Sequence, residues 1–183
     1  IQPFQLMLGK LAGNVAVSLT TVGVYIVGGF CTLQYLDQSH LFPPLDIIIW
    51  LLVFQSLAVL MFGALFISIG AAVNDMREAQ SAMMPVMIMA MAPMFVWLNV
   101  VREPESTFSV AISLFPPATP MLMLLRLAAP GSIPLWQPFL GCGLVILTTI
   151  LFISAAGKIF RMGILMQGEA ARFRRRLSWV IRS

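Results

Sequence analysis

The apolar stretch at residues 108–129 constrains the fold more than any other, because prolines interrupt it. It reads FSVAISLFPPATPMLMLLRLAA, with Pro116, Pro117 and Pro120 near its centre. A proline inside a helix removes a backbone donor and clashes with the preceding turn. Each remaining half is shorter than the ~20 helical residues that cross a bilayer, and a broken helix at membrane depth needs protein or water around the break. The stretch is therefore predicted to be a re-entrant hairpin, with a proline-kinked crossing helix as the alternative.

Other long apolar runs predict transmembrane helices, because each is long enough to cross the hydrocarbon core of a bilayer. They occupy residues 11–36, 47–73, 83–101 and 139–157. The chain is 60% hydrophobic and 10% charged, whereas a soluble domain carries about 25% charged residues. We therefore predict an all-α polytopic membrane protein with four transmembrane helices, the re-entrant hairpin and a basic amphipathic C-terminal tail.

The distribution of basic residues predicts the orientation of these helices. Lys10 precedes the first run, and Lys158, Arg161 and further arginines follow the last. Basic flanks stay on the cytoplasmic side, and an even number of crossings leaves both ends there. A fifth crossing at residues 108–129 would place the tail outside. The charge pattern thus favours the hairpin and a cytoplasmic C-terminus.

The tail at residues 169–183 mixes arginines with Phe173, Trp179 and other apolar residues, a pattern typical of a helix on a membrane surface. A basic run directly after a span faces anionic headgroups more often than nucleic acid. The lipid bilayer is therefore the expected partner, and no nucleic acid is expected. A protein partner for the tail is the alternative. The residues expected to contact headgroups are Arg172, Arg174, Arg175 and Arg176.

The predicted spans lack the residues that intramembrane catalysis needs. Enzymes working at membrane depth use ionisable side chains, and the apolar runs contain no Asp, Glu, Lys, Arg or His. The motifs HExxH and GxSxG do not occur in the sequence. The chain is therefore not expected to be an enzyme, nor to bind a metal or a cofactor itself.

Isolated polar side chains inside the apolar segments are candidate functional residues. Gln55 and Asn99 either line a substrate path or hydrogen-bond between helices. Arg126, near one end of the hairpin, is expected to reach the membrane interface or to pair with Glu103 or Glu105. A structural role at the interface is expected for Arg126 ahead of contact with substrate.

A compact polar segment joins the second and third runs, and by parity it lies on the cytoplasmic side. It is either a solvated turn or a docking element that receives force from a cytoplasmic partner. Its charges have both signs, so they can pair with a partner or with each other. The candidate coupling residues are Asn74, Asp75, Arg77, Glu78 and Gln80.

Several pieces of the sequence resemble the membrane subunit of type-2 ABC exporters, in particular the NatB-like branch of sodium-efflux permeases. The pieces are QLMLGK at residues 5–10, GAAVNDMREAQS at 70–81, PES at 104–106, SLFPPATPMLMLLR at 113–126 and KIFRMGILMQG at 158–168. They occur in the order that the family has them.

The resemblance implies the C-terminal portion of a six-span permease from a bacterial or archaeal plasma membrane. Residues 1–10 would end one cytoplasmic coupling segment, the polar segment would be a second, and residues 11–168 would form the transmembrane domain. Such permeases pair as dimers and engage a separate ABC ATPase that binds ATP and Mg. No GxxxxGK[ST] occurs in this chain. The expected function is therefore that of an exporter permease, with a non-transporting membrane scaffold or assembly partner as the alternative.

Overall fold

The computed structural model describes residues 3–73, 75–129 and 133–155. In this part of the chain the ordered elements are helices. They are α1 (Pro3–Tyr35), a short 3-10 turn (Ser39–Leu41), α2 (Leu45–Ala72), α3 (Met76–Met91), α4 (Pro93–Arg102), α5 (Thr107–Ser113), α6 (Thr119–Ala128) and α7 (Trp136–Ala155).

The prediction of four apolar helices long enough to cross a membrane is confirmed. Within the described residues, four segments are long and apolar enough to span a membrane: Gln5–Tyr35, Leu45–Ala72, Met76–Arg102 and Trp136–Ala155. The third is formed by α3 and α4 in series. Helix α6 is also apolar, but it is shorter than these four segments.

The first helix starts earlier than the apolar run does. It begins at Pro3. Proline suits the first turn of a helix, because a backbone N–H at that position would have no acceptor within the helix. Met7 and Leu11 are buried against Ala64 of α2, and Ile153 of α7 packs on the same cluster. This contact extends the helix through Lys10, so the described part of the predicted lead-in is continuous with the span.

The polar segment after α2 is a helix start rather than a loop. Only residues 73–75 separate α2 from α3. Asp75 is the N-cap of α3, and its Oδ1 accepts from the backbone N–H of Arg77 at 3.5 Å. Such a cap satisfies one of the free donors of the first turn. The residues that follow therefore project from the first turns of a helix.

Two prolines of the third span behave differently. Pro85 lies inside α3, which continues past it. Pro93 begins α4 after α3 has ended at Met91, with Ala92 between the two helices. The helix hydrogen bonding is interrupted at Pro93, which starts α4. The first turn of a helix is the position that tolerates proline best.

The apolar stretch with three prolines forms two short helices, as its composition predicts. Ser106 caps α5, accepting from the backbone N–H of Ser109, and α5 ends at Ser113. Residues 114–118, including Pro116 and Pro117, form the turn, and Pro120 lies in the first turn of α6. We call α5, this turn and α6 the hairpin. It packs on α4 through Val100, Ala118 and Leu122.

Gly141 of α7 allows the last helix to approach the hairpin closely. A Cβ atom at Gly141 would lie 3.0 Å from Thr119 Cγ2 and 3.1 Å from Met123 Cε. Gly143, on the same helix, has open space where its Cβ would be. The close contact between α7 and the hairpin therefore requires a glycine at position 141 but not at position 143.

We expect Gly141→Leu to destabilise the fold by about 1–3 kcal/mol, the usual cost of overpacking, and Gly143→Leu to change it little. The midpoint of thermal unfolding of the purified full-length protein in detergent would measure both. Equal midpoints for the two variants would contradict the close contact between α7 and α6.

Candidate functional site

The side chain of Arg126 is buried at the centre of the hairpin's contacts, with 1% of its surface exposed. Its Nε donates to the Pro104 carbonyl oxygen at 2.7 Å, and one Nη donates to Ser113 Oγ at 2.7 Å. The other Nη donates to Gln137 Oε1 at 2.7 Å. We call these four residues the Arg126 cluster. A single guanidinium thus binds three separate segments of the chain.

The cluster shows the contacts of Arg126, for which the sequence offered extension to the membrane interface or pairing with Glu103 or Glu105. The side chain does not reach outward to an interface, and its hydrogen-bond partners among the described residues are neutral. Burial lowers the pKa of Arg126 from its ordinary value, an effect that the nearby charge of Glu105 only partly offsets. Because an arginine in a protein keeps its proton, the buried group is a cation. Its place in the last turn of α6 is favourable, since helix C-termini attract positive charge.

The partners of Arg126 are themselves held in place. The Ser113 hydroxyl donates to the Val110 carbonyl at 3.0 Å, so its oxygen is free to accept from the guanidinium. Ser109 Oγ donates to the Glu103 carbonyl at 2.7 Å and accepts from Ser106 Oγ at 2.9 Å. These bonds fix the turn between α4 and α5, whose Pro104 carbonyl faces the guanidinium.

A cavity of about 590 Å³ lies between the hairpin and α2. Leu51, Gln55 and Phe62 of α2 line it, together with Ala90 and Pro93 of the third span. The hairpin contributes Pro117, Pro120, Met121, Leu124, Leu125 and Ala128. The walls are almost entirely apolar, so the two predicted proline positions Pro117 and Pro120 face a space suited to apolar groups.

A second cavity, of about 880 Å³, lies on the other side of the same contact. Trp50 of α2, Phe139 of α7 and Leu127 of α6 line it, with Asp46 contributing a carboxylate. The rings of Trp50 and Phe139 meet edge to face at 5.1 Å. Ile47 lines both cavities, so the contact between α2 and α6 has open space on either side.

The two polar residues predicted inside the spans differ in position. Gln55 donates from Nε2 to Ser18 Oγ of α1 at 2.9 Å, and it also lines the smaller cavity. It therefore meets the geometric requirement of both interpretations offered by the sequence. Asn99 is exposed on α4 and lines neither of these cavities.

The candidate coupling residues lie together at the start of α3. Asp75, Arg77, Glu78 and Gln80 are exposed, while Asn74 lies outside the described residues. Exposed side chains of both signs on a capped helix are accessible to a partner. Their role in coupling stays a prediction.

The expected headgroup contacts also lie outside the described residues, and they remain predictions. They are Arg172, Arg174, Arg175 and Arg176.

Among the residues that are described, no three His, Cys, Asp or Glu side chains are grouped as a metal site requires.

Sequence reasoning missed the partners of Arg126. Ser113 and Gln137 are single polar residues at the edges of apolar segments, and both are buried. A buried cation needs hydrogen-bond acceptors. In a chain with few charges, isolated polar residues at the ends of apolar segments are therefore the sequence signal for the partners of a buried arginine.

Comparison with known proteins places this chain among transporters. Residues 1–158 match the family model described as "ABC-2 family transporter protein". The chain is 25% identical to uncharacterized protein YhaP of Bacillus subtilis, covering 94% of this chain and 43% of that protein. It is 22% identical to uncharacterized protein MJ1024 of Methanocaldococcus jannaschii, covering 93% of this chain and 41% of that protein. The chain thus spans less than half the length of these relatives. No solved structure matches it.

Proposed function

We propose that this chain, which belongs to the ABC-2 family of transporter proteins, forms part of the substrate path of an ATP-driven exporter. The match to the family over residues 1–158 is the observation that carries the proposal. Four candidate membrane spans in the described residues agree with a multi-pass permease subunit.

The cavity between α2 and the hairpin is the proposed place of the path. Its lining includes Pro93, where the helix hydrogen bonding of the third span is interrupted, and Pro117, in the turn of the hairpin. Non-helical backbone at membrane depth is tolerated where it lines a cavity or is covered by protein, and transporters use such broken helices at their binding sites. In this proposal the hairpin is re-entrant, and Gln55 contributes a polar contact to a largely apolar path.

The start of α3 is the proposed contact with a separate ABC ATPase that binds ATP and Mg. A short connection to α2 and an N-cap at Asp75 fix the direction of this helix. Arg77, Glu78 and Gln80 extend from it into solvent. Movement of the ATPase would thus reach two spans through one contact.

The proposed permease has a defined orientation in the membrane and pairs with a second subunit. The start of α3 and the C-terminus face the cytoplasm of a bacterial or archaeal cell, and the Arg126 cluster lies near the outer side. A second permease subunit completes the transporter. The expected family branch is that of the sodium-efflux permeases. The arginines of the C-terminal tail contact the inner leaflet of the membrane. The basic ends of the chain support this arrangement.

Co-expression of the full-length protein with the ABC ATPase encoded nearest to its gene tests the function. We expect the ATPase to copurify with the membrane protein. We also expect its hydrolysis of ATP in liposomes to change on assembly by about fivefold or more, the lower end of ordinary coupling free energies. A membrane scaffold would leave ATP hydrolysis unchanged. That result, or failure to copurify, would contradict the proposed permease.

A further inference from the structure

We propose that Arg126 is a positioning residue that fastens the hairpin to the outer ends of α4 and α7, so that the permease opens between α2 and α6. The direction of opening rests on the proposed function, whereas the fastening does not. The inference follows from the unequal chemistry on the two sides of α6.

On one side of α6 the contacts are polar and directed. The guanidinium of Arg126 binds Pro104, which follows α4, and Gln137, which lies in the first turn of α7. Hydrogen bonds from a charged donor are the strong ones. The guanidinium is planar and holds its donors in a fixed fork, so three acceptors at 2.7 Å constrain three segments at once. Moving the hairpin away from α7 would break these bonds in an apolar environment.

On the other side of α6 the contacts are apolar and incomplete. No hydrogen bond joins α2 to α6 among the described residues, and cavities of about 590 and 880 Å³ flank their contact. Leu51 and Leu124 face the smaller cavity from opposite helices. Apolar contacts in a membrane are easily exchanged for contacts with lipid tails, because the tails are equally apolar. Separation of α2 from α6 therefore costs less than separation of α6 from α7.

Two pairs of cysteines distinguish the two boundaries in the full-length permease, with Cys31 and Cys142 replaced. The first pair is Leu51→Cys with Leu124→Cys, joined by a short bifunctional thiol reagent across the cavity. The second is Thr119→Cys with Gly141→Cys. A Cβ at Gly141 lies 3.0 Å from Thr119 Cγ2, and one further C–C bond of ~1.5 Å leaves the two Cβ atoms at most about 4.5 Å apart, within disulfide range.

The first arm of the experiment follows both pairs in liposomes with the ATPase, with and without ATP and vanadate. We expect the yield of the α2–α6 cross-link to change by about fivefold or more between the two conditions, and that of the α6–α7 disulfide by less than about twofold. An equal or larger change at α6–α7, or no change at α2–α6 in a complex that hydrolyses ATP, would overturn the proposed opening.

The second arm needs no nucleotide and tests the fastening by itself. Arg126→Lys keeps the charge but loses the fork, and Gln137→Met removes one acceptor at similar size. We expect both to lower the initial rate of the α6–α7 disulfide by about threefold or more, because the hairpin samples positions away from α7. Arg102→Lys, at an exposed arginine of α4, is the matched control.

The two arms separate the possible failures. If Arg126→Lys and Gln137→Met leave the disulfide rate as it is in the control, the fastening is wrong. If the ATPase does not bind or its hydrolysis does not change, the proposed function has failed, and with it the proposed opening. The disulfide rates then still decide whether Arg126 holds the hairpin to α7.

Discussion

Arg126→Leu is expected to lower the stability of the folded protein by roughly 2–5 kcal/mol. The substitution removes the donor from the Pro104 carbonyl, Ser113 Oγ and Gln137 Oε1 together. Each buried polar group left without a partner costs about 1–3 kcal/mol, partly offset because leucine carries no charge to bury. The midpoint of thermal unfolding of the full-length protein in detergent would measure the loss.

Arg102→Leu provides the control for this measurement. Arg102 ends α4 and is exposed, so its replacement is expected to change stability by less than about 0.5 kcal/mol, as surface substitutions usually do. Similar midpoints for Arg126→Leu and Arg102→Leu would show that the hydrogen bonds of the cluster do not stabilise the fold.

Arg77→Ala and Glu78→Ala are expected to weaken coupling to the ATPase without unfolding the permease. Both side chains are exposed at the start of α3, where pairs of charges contribute only about 0–1 kcal/mol to stability. A charge pair at a protein interface has more effect, since its loss changes the fit to the partner. We expect the change in ATP hydrolysis that accompanies assembly to shrink to less than about twofold in both variants, because most of the coupling free energy is lost.

Glu103→Ala is the matched control for the coupling variants. Glu103 is also exposed and acidic, but it follows α4 at the opposite end of the third span. Its replacement should leave ATP hydrolysis by the complex unchanged. If Arg77→Ala and Glu78→Ala hydrolyse ATP as the unmodified complex does, the start of α3 is a solvated helix end and the contact with the ATPase lies elsewhere.

Local patterns in the sequence predicted much of the fold because they act over short distances. The apolar runs specify the candidate spans, and the prolines from Pro116 to Pro120 specify the break in the hairpin. The start of α3 also had a local signal, Asp75 followed three residues later by Glu78, which resembles a capping box. That signal identifies the polar segment as a helix start rather than the solvated turn that its polarity suggests.

The Arg126 cluster could not be predicted in the same way. Its partners Pro104, Ser113 and Gln137 lie 22, 13 and 11 residues away along the chain. An arginine near the end of an apolar helix is equally compatible with extension to an interface and with burial. Only the folded arrangement of α4, α5 and α7 places enough acceptors around the guanidinium to make burial the better outcome.

The length of α3 sets the distance between its exposed start and the cavity beside the hairpin. At ~1.5 Å per residue, the helix extends about 24 Å from Arg77 at its exposed end to Pro93 at the edge of the cavity. Ala92 still donates to the Ile88 carbonyl, whereas Pro93 has no backbone N–H, so the helix hydrogen bonding is interrupted at the start of α4. If the ATPase binds the start of α3 as proposed, a displacement there would be carried along this helix to the interruption beside the cavity.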